Sequence, residues 1–476
     1  MGLFGTDGVR GVAGRDLDSR LATNLAAAGA YVLGRVPAQQ RSQAERERSA
    51  RPRPMAVVGR DPRASGEFLE AAVVAGLAEN GVDVRRLGVI PTPAVAYLTD
   101  FLDADFGVML SASHNPAPDN GIKFFARGGV KLADEVEAEI EARMAATLAS
   151  ADGSGPGIPA AGFGRITDAA GEAERYLEHL LNTVRPTVAN AASSAGPAAR
   201  PLAGWRVVVD CAHGAAYALA PRMLAEAGAD VIAIGVEPDG ININEGCGST
   251  SLGTLQAAVI EHGADAGIAY DGDADRCLAV DAAGEVIDGD QILAILALAL
   301  NKSGRLAGST VVATVMANLG FRLAMRDAGI DMVETPVGDR YLIAAMLDGK
   351  YVLGGEQSGH IIMLDHSSTG DGMLTSLQLL ATAASTGQSL AELGSVMTRV
   401  PQVLVNVHGV SKQQVAASGE LAAAVADATS QLGDSGRVLV RPSGTEPAVR
   451  VMVEAIDGGQ AHEIADRLAD VVRAVG

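Results

Sequence analysis

Asp271-Gly272-Asp273-Ala274-Asp275-Arg276 sets three carboxylates two residues apart, directly after an apolar stretch that ends at Tyr270. Oxygen-only donors on a short loop at a strand end suit magnesium or a similarly hard cation rather than zinc. The loop is not an EF-hand, because Arg276 stands where that motif needs glycine and Ala282 where it needs a bidentate glutamate. Far upstream, Ser113 lies in Ser111-Ala112-Ser113-His114-Asn115-Pro116, after the apolar run Phe106 to Leu110. That run reads as a buried strand. Pro116 restricts Asn115 to extended geometry, so the strand gives way to a shaped loop and not to a helix. A hydroxyl on a rigid loop, with a hard-metal cradle elsewhere in the chain, suggests phosphoryl transfer, the serine acting as nucleophile or phosphate carrier.

Two further loops carry polar groups in useful patterns. Gly354-Gly355-Glu356-Gln357-Ser358-Gly359-His360 follows the β-run Tyr351 to Leu353. Read as an extended segment, it projects Glu356 and Ser358 to one side, where a carboxylate and a hydroxyl suit paired sugar hydroxyls. Arg441-Pro442-Ser443-Gly444-Thr445-Glu446-Pro447, with Arg450 beyond, offers guanidinium groups, hydroxyls and glycine-exposed amides to an anion. Asp119-Asn120-Gly121-Ile122-Lys123 predicts a tight turn that folds the chain back and brings Lys123 near Ser113. Cys211 and His213 sit between a strand and a helix and read as a structural turn. No Walker A pattern and no glycine-rich dinucleotide fingerprint is present, which leaves nucleotide binding without support.

These loops need a scaffold, and the chain repeats one. Met55 to Gly59, Val207 to Asp210 and Thr310 to Thr314 each start a strand-loop-helix unit. The units end in Asn80-Gly81, Ala227-Gly228 and Ala328-Gly329, and each is followed by a further β-run. This is βαβ grammar three times over, spaced too widely for a solenoid. The last stretch differs, with short strands around Val403 to Val407, Arg437 to Arg441 and Val449 to Glu454 before a closing helix from Gln460 to Val475. The fold class expected is therefore α/β: three related α/β domains with mixed sheets, plus a smaller C-terminal α+β domain. The boundaries expected are 1–168 for the domain with the serine loop, 169–285 for the metal loop, 286–397 for the Glu356–Ser358 loop and 398–476 for the anion loop. Pro37 to Pro54 and Thr187 to Gly204 read as surface insertions.

The 476 residues include 57 acidic and 37 basic side chains, a net charge of -20, which disfavours nucleic acid and anionic membrane surfaces as partners. A phosphate site must then be built from local arginines and backbone amides. Only 3% of residues are aromatic, so the cores must be aliphatic. Cys211, Cys247 and Cys277 show no pairing or metal spacing, as in a reducing compartment. With no signal peptide and no run long enough to span a bilayer, the expected location is cytoplasmic.

Taken in order, these motifs resemble those of the α-D-phosphohexomutase family, over essentially the whole chain. The resemblance implies a four-domain, heart-shaped molecule with a central cleft to which each domain gives one motif. By position, Ser113 is the phosphoserine and Asp271, Asp273 and Asp275 hold one Mg2+, with the serine phosphate as a further ligand. Glu356, Ser358 and His360 match the sugar loop, and Arg441, Ser443, Gly444, Thr445 and Arg450 the loop holding the non-reacting phosphate. Arg10, His114, Lys123 and Arg276 match residues around the transferred phosphoryl group. The implied activity is that of an isomerase moving phosphate between O6 and O1 of a small sugar phosphate through a 1,6-bisphosphate, which also primes the serine. Gly5-Thr6-Asp7-Gly8-Val9-Arg10-Gly11 and Gln357 resemble the amino-sugar branch, which feeds cell-wall precursors; phosphomannomutase/phosphoglucomutase members, the alternative, carry Met in place of Gln357. The implied assembly is a monomer or homodimer. Two rivals from other classes are an aspartyl-phosphate mutase using Asp271 or Asp273, and a catalytically silent sugar-phosphate sensor. The serine loop is unexplained in the first, and the complete set of motifs weighs against the second.

Overall fold

The computed structural model describes residues 2–5, 7–35, 51, 53–149, 162–185, 200–442 and 448–476. The two insertions lie largely outside the described residues, as do Ser443, Gly444 and Thr445. The chain divides into two compact units, 1–315 with 333–394, and 316–332 with 395–476.

The first unit holds three mixed sheets. The first contains β1 (Val9–Val12), β2 (Met55–Arg60), β3 (Asp83–Val89), β4 (Phe106–Leu110), β5 (Asp119–Ala126), β6 (Val130–Lys131) and β7 (Ile166–Asp168), in the order β1-β5-β4-β2-β3-β7 with β6 on β5. β4, β2, β3 and β7 run parallel, while β5 is antiparallel to β4. β2 and β4 are almost wholly buried and apolar, the pattern of strands covered on both faces. The covering helices include α1 (Ser19–Gly29) and α2 (Ser65–Glu79), packed on each other, and α3 (Thr92–Phe101). Their core is Leu, Val and Ala with Phe106 and Phe124, aliphatic as the composition requires.

The second sheet repeats this plan. β8 (Arg206–Asp210), β9 (Asp230–Ile234), β10 (Ala266–Tyr270), β11 (Cys277–Asp281) and β12 (Val286–Ile287) are ordered β12-β11-β10-β8-β9. The third contains β13 (Thr310–Thr314), β14 (Asp331–Thr335), β15 (Leu353–Gly355) and β16 (Ile361–Met363), ordered β14-β13-β15-β16. In all three sheets the third strand of the repeat (β4, β10, β15) lies beside the first and leads through a loop into an antiparallel strand (β5, β11, β16). The serine loop, the metal loop and the Glu356–His360 loop fill that one topological position. Each therefore leaves the carboxyl end of a parallel strand, where open α/β sheets hold their ligands.

Helix ends in this unit are fixed locally. Asp288 and Gln291 form a capping box at the start of the helix Gly289–Lys302, an arrangement that contributes about 1 kcal/mol. Asp371 caps the helix Gly372–Thr386 through the Leu374 amide and also accepts the Tyr176 hydroxyl at 2.9 Å on both oxygens.

The second unit is a three-stranded antiparallel sheet of β17 (Gln402–His408), β18 (Gly436–Pro442) and β19 (Ala448–Ala455), ordered β17-β19-β18, with the helices Gly419–Leu432 and Gly458–Val475 packed on it. It also includes residues 316–332, the crossover helix of the third repeat. The tie is a fully buried carboxylate: Glu454 accepts the Asn318 side-chain amide and the Leu319 backbone amide, both at 3.1 Å, and pairs with Arg437. A buried charge needs such partners, and part of the third repeat supplies them.

Candidate active site

The turn that presents Ser113 is built from buried charge. Ser113 is 1% exposed and adopts φ 53°, a left-handed conformation that a non-glycine residue holds only under constraint. Its amide donates to Ser111 Oγ at 2.9 Å, and Ser111 Oγ donates to Asp61 Oδ2 at 2.7 Å. Arg63, fully buried, donates from Nε to Asp61 Oδ2 at 2.8 Å. Its other nitrogens reach the carbonyls of Ser113 (3.0 Å), Asn115 (2.8 Å), Pro116 (2.5 Å) and Asp119 (3.0 Å). Asn244 adds its amide to the Ser113 and Asn115 carbonyls at 3.0 and 3.1 Å. Asp61, Arg63 and Asn244 were not singled out from the sequence; the one visible signal was the charge-rich segment Arg60-Asp61-Pro62-Arg63 at the end of β2.

The sharp turn lies in Ser113–Pro118 and not at Asn120-Gly121, which is already inside β5. Gly121 is required for another reason: a Cβ there would sit 2.5 Å from the Ser111 carbonyl. The reversal still delivers Lys123, registered against Met109 of β4. Lys123 Nζ lies 2.8 Å from Asp273 Oδ2 and 2.9 Å from Asp7 Oδ2. Burial works against its charge, but Asp273 and Asp7 outweigh it and hold the ammonium well above the usual lysine range.

The metal loop meets the serine loop directly. Gly272 passes so close that a Cβ would lie 2.5 Å from the Ser113 carbonyl, and Ser113 Oγ donates to Asp271 Oδ2 at 2.6 Å. One oxygen from each of Asp271, Asp273 and Asp275 lies within 4.8 Å of the others, and all three residues are buried. Burial and the charges of Asp275 and Asp273 push the Asp271 carboxyl well above its ordinary range. Asp273 Oδ1 and Asp275 Oδ1 are buried without a hydrogen-bond partner among the described residues. The donor set and these open oxygens fit a hard divalent cation.

Three further expected residues surround this centre. His114 Nδ1 lies 3.4 Å from Ser113 Oγ, and burial, Arg276 and Arg10 push its imidazole down to about 4. Arg10 pairs with Asp7 and reaches the Ala112 carbonyl at 3.4 Å. The Arg276 backbone amide donates to Asp271 Oδ1 at 3.2 Å, and its guanidinium stands 3.8 Å from Asp275. Thr92 Oγ1, at the start of α3, donates to Asp273 Oδ2 at 2.7 Å.

The sugar loop also belongs to the first unit. It is a turn and not the extended segment expected, and the turn still joins Ser358 Oγ to Glu356 Oε2 at 3.3 Å. The Gly338 amide donates to Glu356 Oε1 at 3.2 Å. His360 Nδ1 lies 3.6 Å from Asp275 Oδ2; burial opposes its charge, yet the interaction with Asp275 carries it up to about 9. In the second unit, Arg441 and Arg450 stand directly opposite on β18 and β19. Burial and the charge of Arg450 lower the Arg441 pKa. Cys211 is buried with its thiol pushed well up by burial, and the Glu237 amide donates to His213 Nδ1 at 3.2 Å, as a structural turn should.

Four family models cover the chain: phosphoglucomutase/phosphomannomutase α/β/α domain I over residues 1–150, domain II over 174–284, domain III over 288–400 and the C-terminal domain over 404–471. The chain belongs to the phosphoglucomutase/phosphomannomutase family. Among curated relatives it is 62% identical to the phosphoglucosamine mutase of Thermobifida fusca, over 99% of this chain and 98% of that protein. It is 59% identical to that of Streptomyces griseus with the same coverage. Among solved structures, a putative phosphomannomutase from Thermus thermophilus matches with TM-score 0.73 and 25% identity, over 99% of this chain and 98% of that one. The N-acetylphosphoglucosamine mutase of Aspergillus fumigatus, solved with GlcNAc-6P and magnesium, matches with TM-score 0.63 and 20% identity, over 99% of this chain and 96% of that one. No helix among the described residues is long and apolar enough to cross a membrane.

Proposed function

We propose that this protein interconverts glucosamine 6-phosphate and glucosamine 1-phosphate through a phosphorylated Ser113 and a bound glucosamine 1,6-bisphosphate. The substrate rests on the high identity to phosphoglucosamine mutases along the whole chain. The chemistry is carried by one observation: the Ser113 hydroxyl meets a buried three-aspartate cradle with oxygens left open.

In this reading Asp271, Asp273 and Asp275 hold Mg2+, which when bound neutralises charge on the moving phosphoryl group. Sugar O1 attacks the Ser113 phosphorus, the P–Oγ bond breaks and the proton on O1 is lost to a base. His114, kept neutral beside Ser113, suits that acceptor, whereas Lys123, kept as ammonium, suits charge neutralisation with Arg10 and Arg276. Glu356 and Ser358 orient the sugar hydroxyls, with His360 between them and Asp275. Arg441, Ser443, Gly444, Thr445 and Arg450 hold the phosphate that is not reacting. After the bisphosphate turns over, the 6-phosphoryl group returns to Ser113. In this reading the four functional segments run over 1–168, 169–285, 286–397 and 398–476.

The test is turnover of glucosamine 6-phosphate, glucose 6-phosphate and mannose 6-phosphate with magnesium and a hexose 1,6-bisphosphate primer. A kcat/KM favouring the amino sugar by about tenfold or more supports the reading. Equal or reversed preference keeps the phosphohexomutase chemistry and discards the amino-sugar substrate.

A further inference from the structure

Between the serine centre and the sugar loop runs a line of ion pairs whose middle members, Asp7, Lys131 and Asp339, have no role in the reaction scheme. Lys131 ends the short strand β6, which follows the turn Arg127-Gly128-Gly129 after the strand that carries Lys123. Gly129 in that turn adopts φ 69° and packs against the Ala96 backbone, so the approach to Lys131 is fixed. Lys131 Nζ reaches both oxygens of Asp339, at 2.7 and 2.9 Å, and lies 3.3 Å from Asp7 Oδ1. The side chains of Lys131 and Asp339 are only 13% and 19% exposed, so water screens the pair weakly.

Each end of this pair leads to reactive groups. Asp339 opens the helix Asp339–Gly349, and the residue before it, Gly338, gives its amide to Glu356. Asp7 meets Lys123, and Lys123 meets Asp273 of the metal cradle. From the sugar-binding carboxylate to the metal ligand the path is therefore Glu356, Gly338–Asp339, Lys131, Asp7, Lys123 and Asp273. Neighbouring contacts brace the same boundary: Ser368 Oγ donates to the Gly129 carbonyl at 2.6 Å, and Arg340 pairs with Asp134 and with Glu137 at 3.4 Å.

We infer that Lys131 and Asp339 are positioning residues that register the sugar loop against the phosphoserine centre, so that a bisphosphate turning in the site meets Glu356 at a fixed distance from Ser113. The inference rests on the mutase reading above. Neither side chain need touch the substrate. Lys131 places Asp339, Asp339 places the Gly338 amide, and that amide places Glu356. A misplacement of about 1 Å in such a relay is enough to cost about a hundredfold in rate.

The experiment measures kcat, KM and bisphosphate released per turnover for Lys131→Met, Asp339→Asn, Glu356→Gln and their pairwise combinations, with Lys131→Arg as the conservative variant. Lys131→Met and Asp339→Asn should each lower kcat/KM by about tenfold to a hundredfold and raise bisphosphate release, with the double variant no worse than the poorer single one. In the Lys131→Met background, Glu356→Gln should cost much less than in the wild type. Lys131→Arg should restore most of the activity. Losses that simply multiply, or unchanged bisphosphate release, would overturn the positioning role. Should Lys131→Met fold poorly, Lys131→Gln, which removes the charge and keeps a polar head, carries the same coupling test with Glu356→Gln. A wild-type protein without mutase turnover would instead overturn the functional reading and the premise of this inference with it.

Discussion

Replacing Arg63 by methionine puts the architecture of the serine turn to a quantitative test. The substitution keeps much of the side-chain length and removes five hydrogen bonds, one to Asp61 and four to loop carbonyls. Arg63 and Asp61 are both fully buried, so the variant strands a carboxylate in the interior. Breaking a buried pair in this way costs about 3–5 kcal/mol. Burial already pushes the Asp61 carboxyl upward, so it takes up a proton when its partner leaves, which caps the loss at the lower end. A companion Asp61→Asn substitution should therefore recover about 1–2 kcal/mol, because a neutral amide needs no proton uptake to shed its charge. Catalysis should suffer separately, because the left-handed Ser113 turn loses the clamp that holds its carbonyls, and a shift of about 1 Å costs about a hundredfold in kcat. Arg63→Lys offers three donors from one nitrogen and cannot span the same carbonyls, so it should fall between the two. Urea unfolding gives the stability, and steady-state turnover with a bisphosphate primer gives the rate. An Arg63→Met protein within about 1 kcal/mol of wild type and within about threefold in kcat would refute this reasoning.

Other perturbations follow from the same geometry. Burial raises the Asp371 carboxyl to about 6, so the folded state keeps a proton that the unfolded chain releases near 3.8, the ordinary aspartate value. Stability should therefore fall as pH rises from about 4 to about 6, by about 3 kcal/mol from this group, and Asp371→Asn should flatten that part of the profile in unfolding measurements. Magnesium should raise the unfolding free energy by about 2.7 kcal/mol at a hundred times its dissociation constant, and Asp273→Asn should remove most of that gain while leaving the metal-free protein folded. Arg450→Met should raise KM for the sugar phosphate by about tenfold with a smaller change in kcat, as expected for loss of a charged phosphate contact made throughout the cycle.

Much of this arrangement was legible in the sequence because it is local. The runs Phe106–Leu110 and Ala266–Tyr270 became fully buried strands, and the loops after them carry Ser113 and the three aspartates as read. What escaped depends on pairing across distance. Asn120-Gly121 carries a turn signal, yet those residues lie in a strand, because they pair with Gly11 and Arg10 of β1. Glu356 and Ser358 meet through a turn and not through strand alternation. Residues 316–332 follow the helix grammar of the third repeat but group with the C-terminal unit, where the buried Glu454 needs them. Arg63 is the clearest case. An arginine two residues after an aspartate gives no hint in sequence that four carbonyls some fifty positions away converge on it.

The central claim is that Ser113 carries the phosphoryl group in transit, and the most direct measurement is the mass of the Ser113 peptide after exposure to glucosamine 1,6-bisphosphate and magnesium. The account predicts a single phosphate on Ser113, lost on addition of glucosamine 6-phosphate as sugar bisphosphate forms, and no turnover in Ser113→Ala despite an intact fold. Label on Asp271 or Asp273, or sustained turnover by Ser113→Ala, would contradict it.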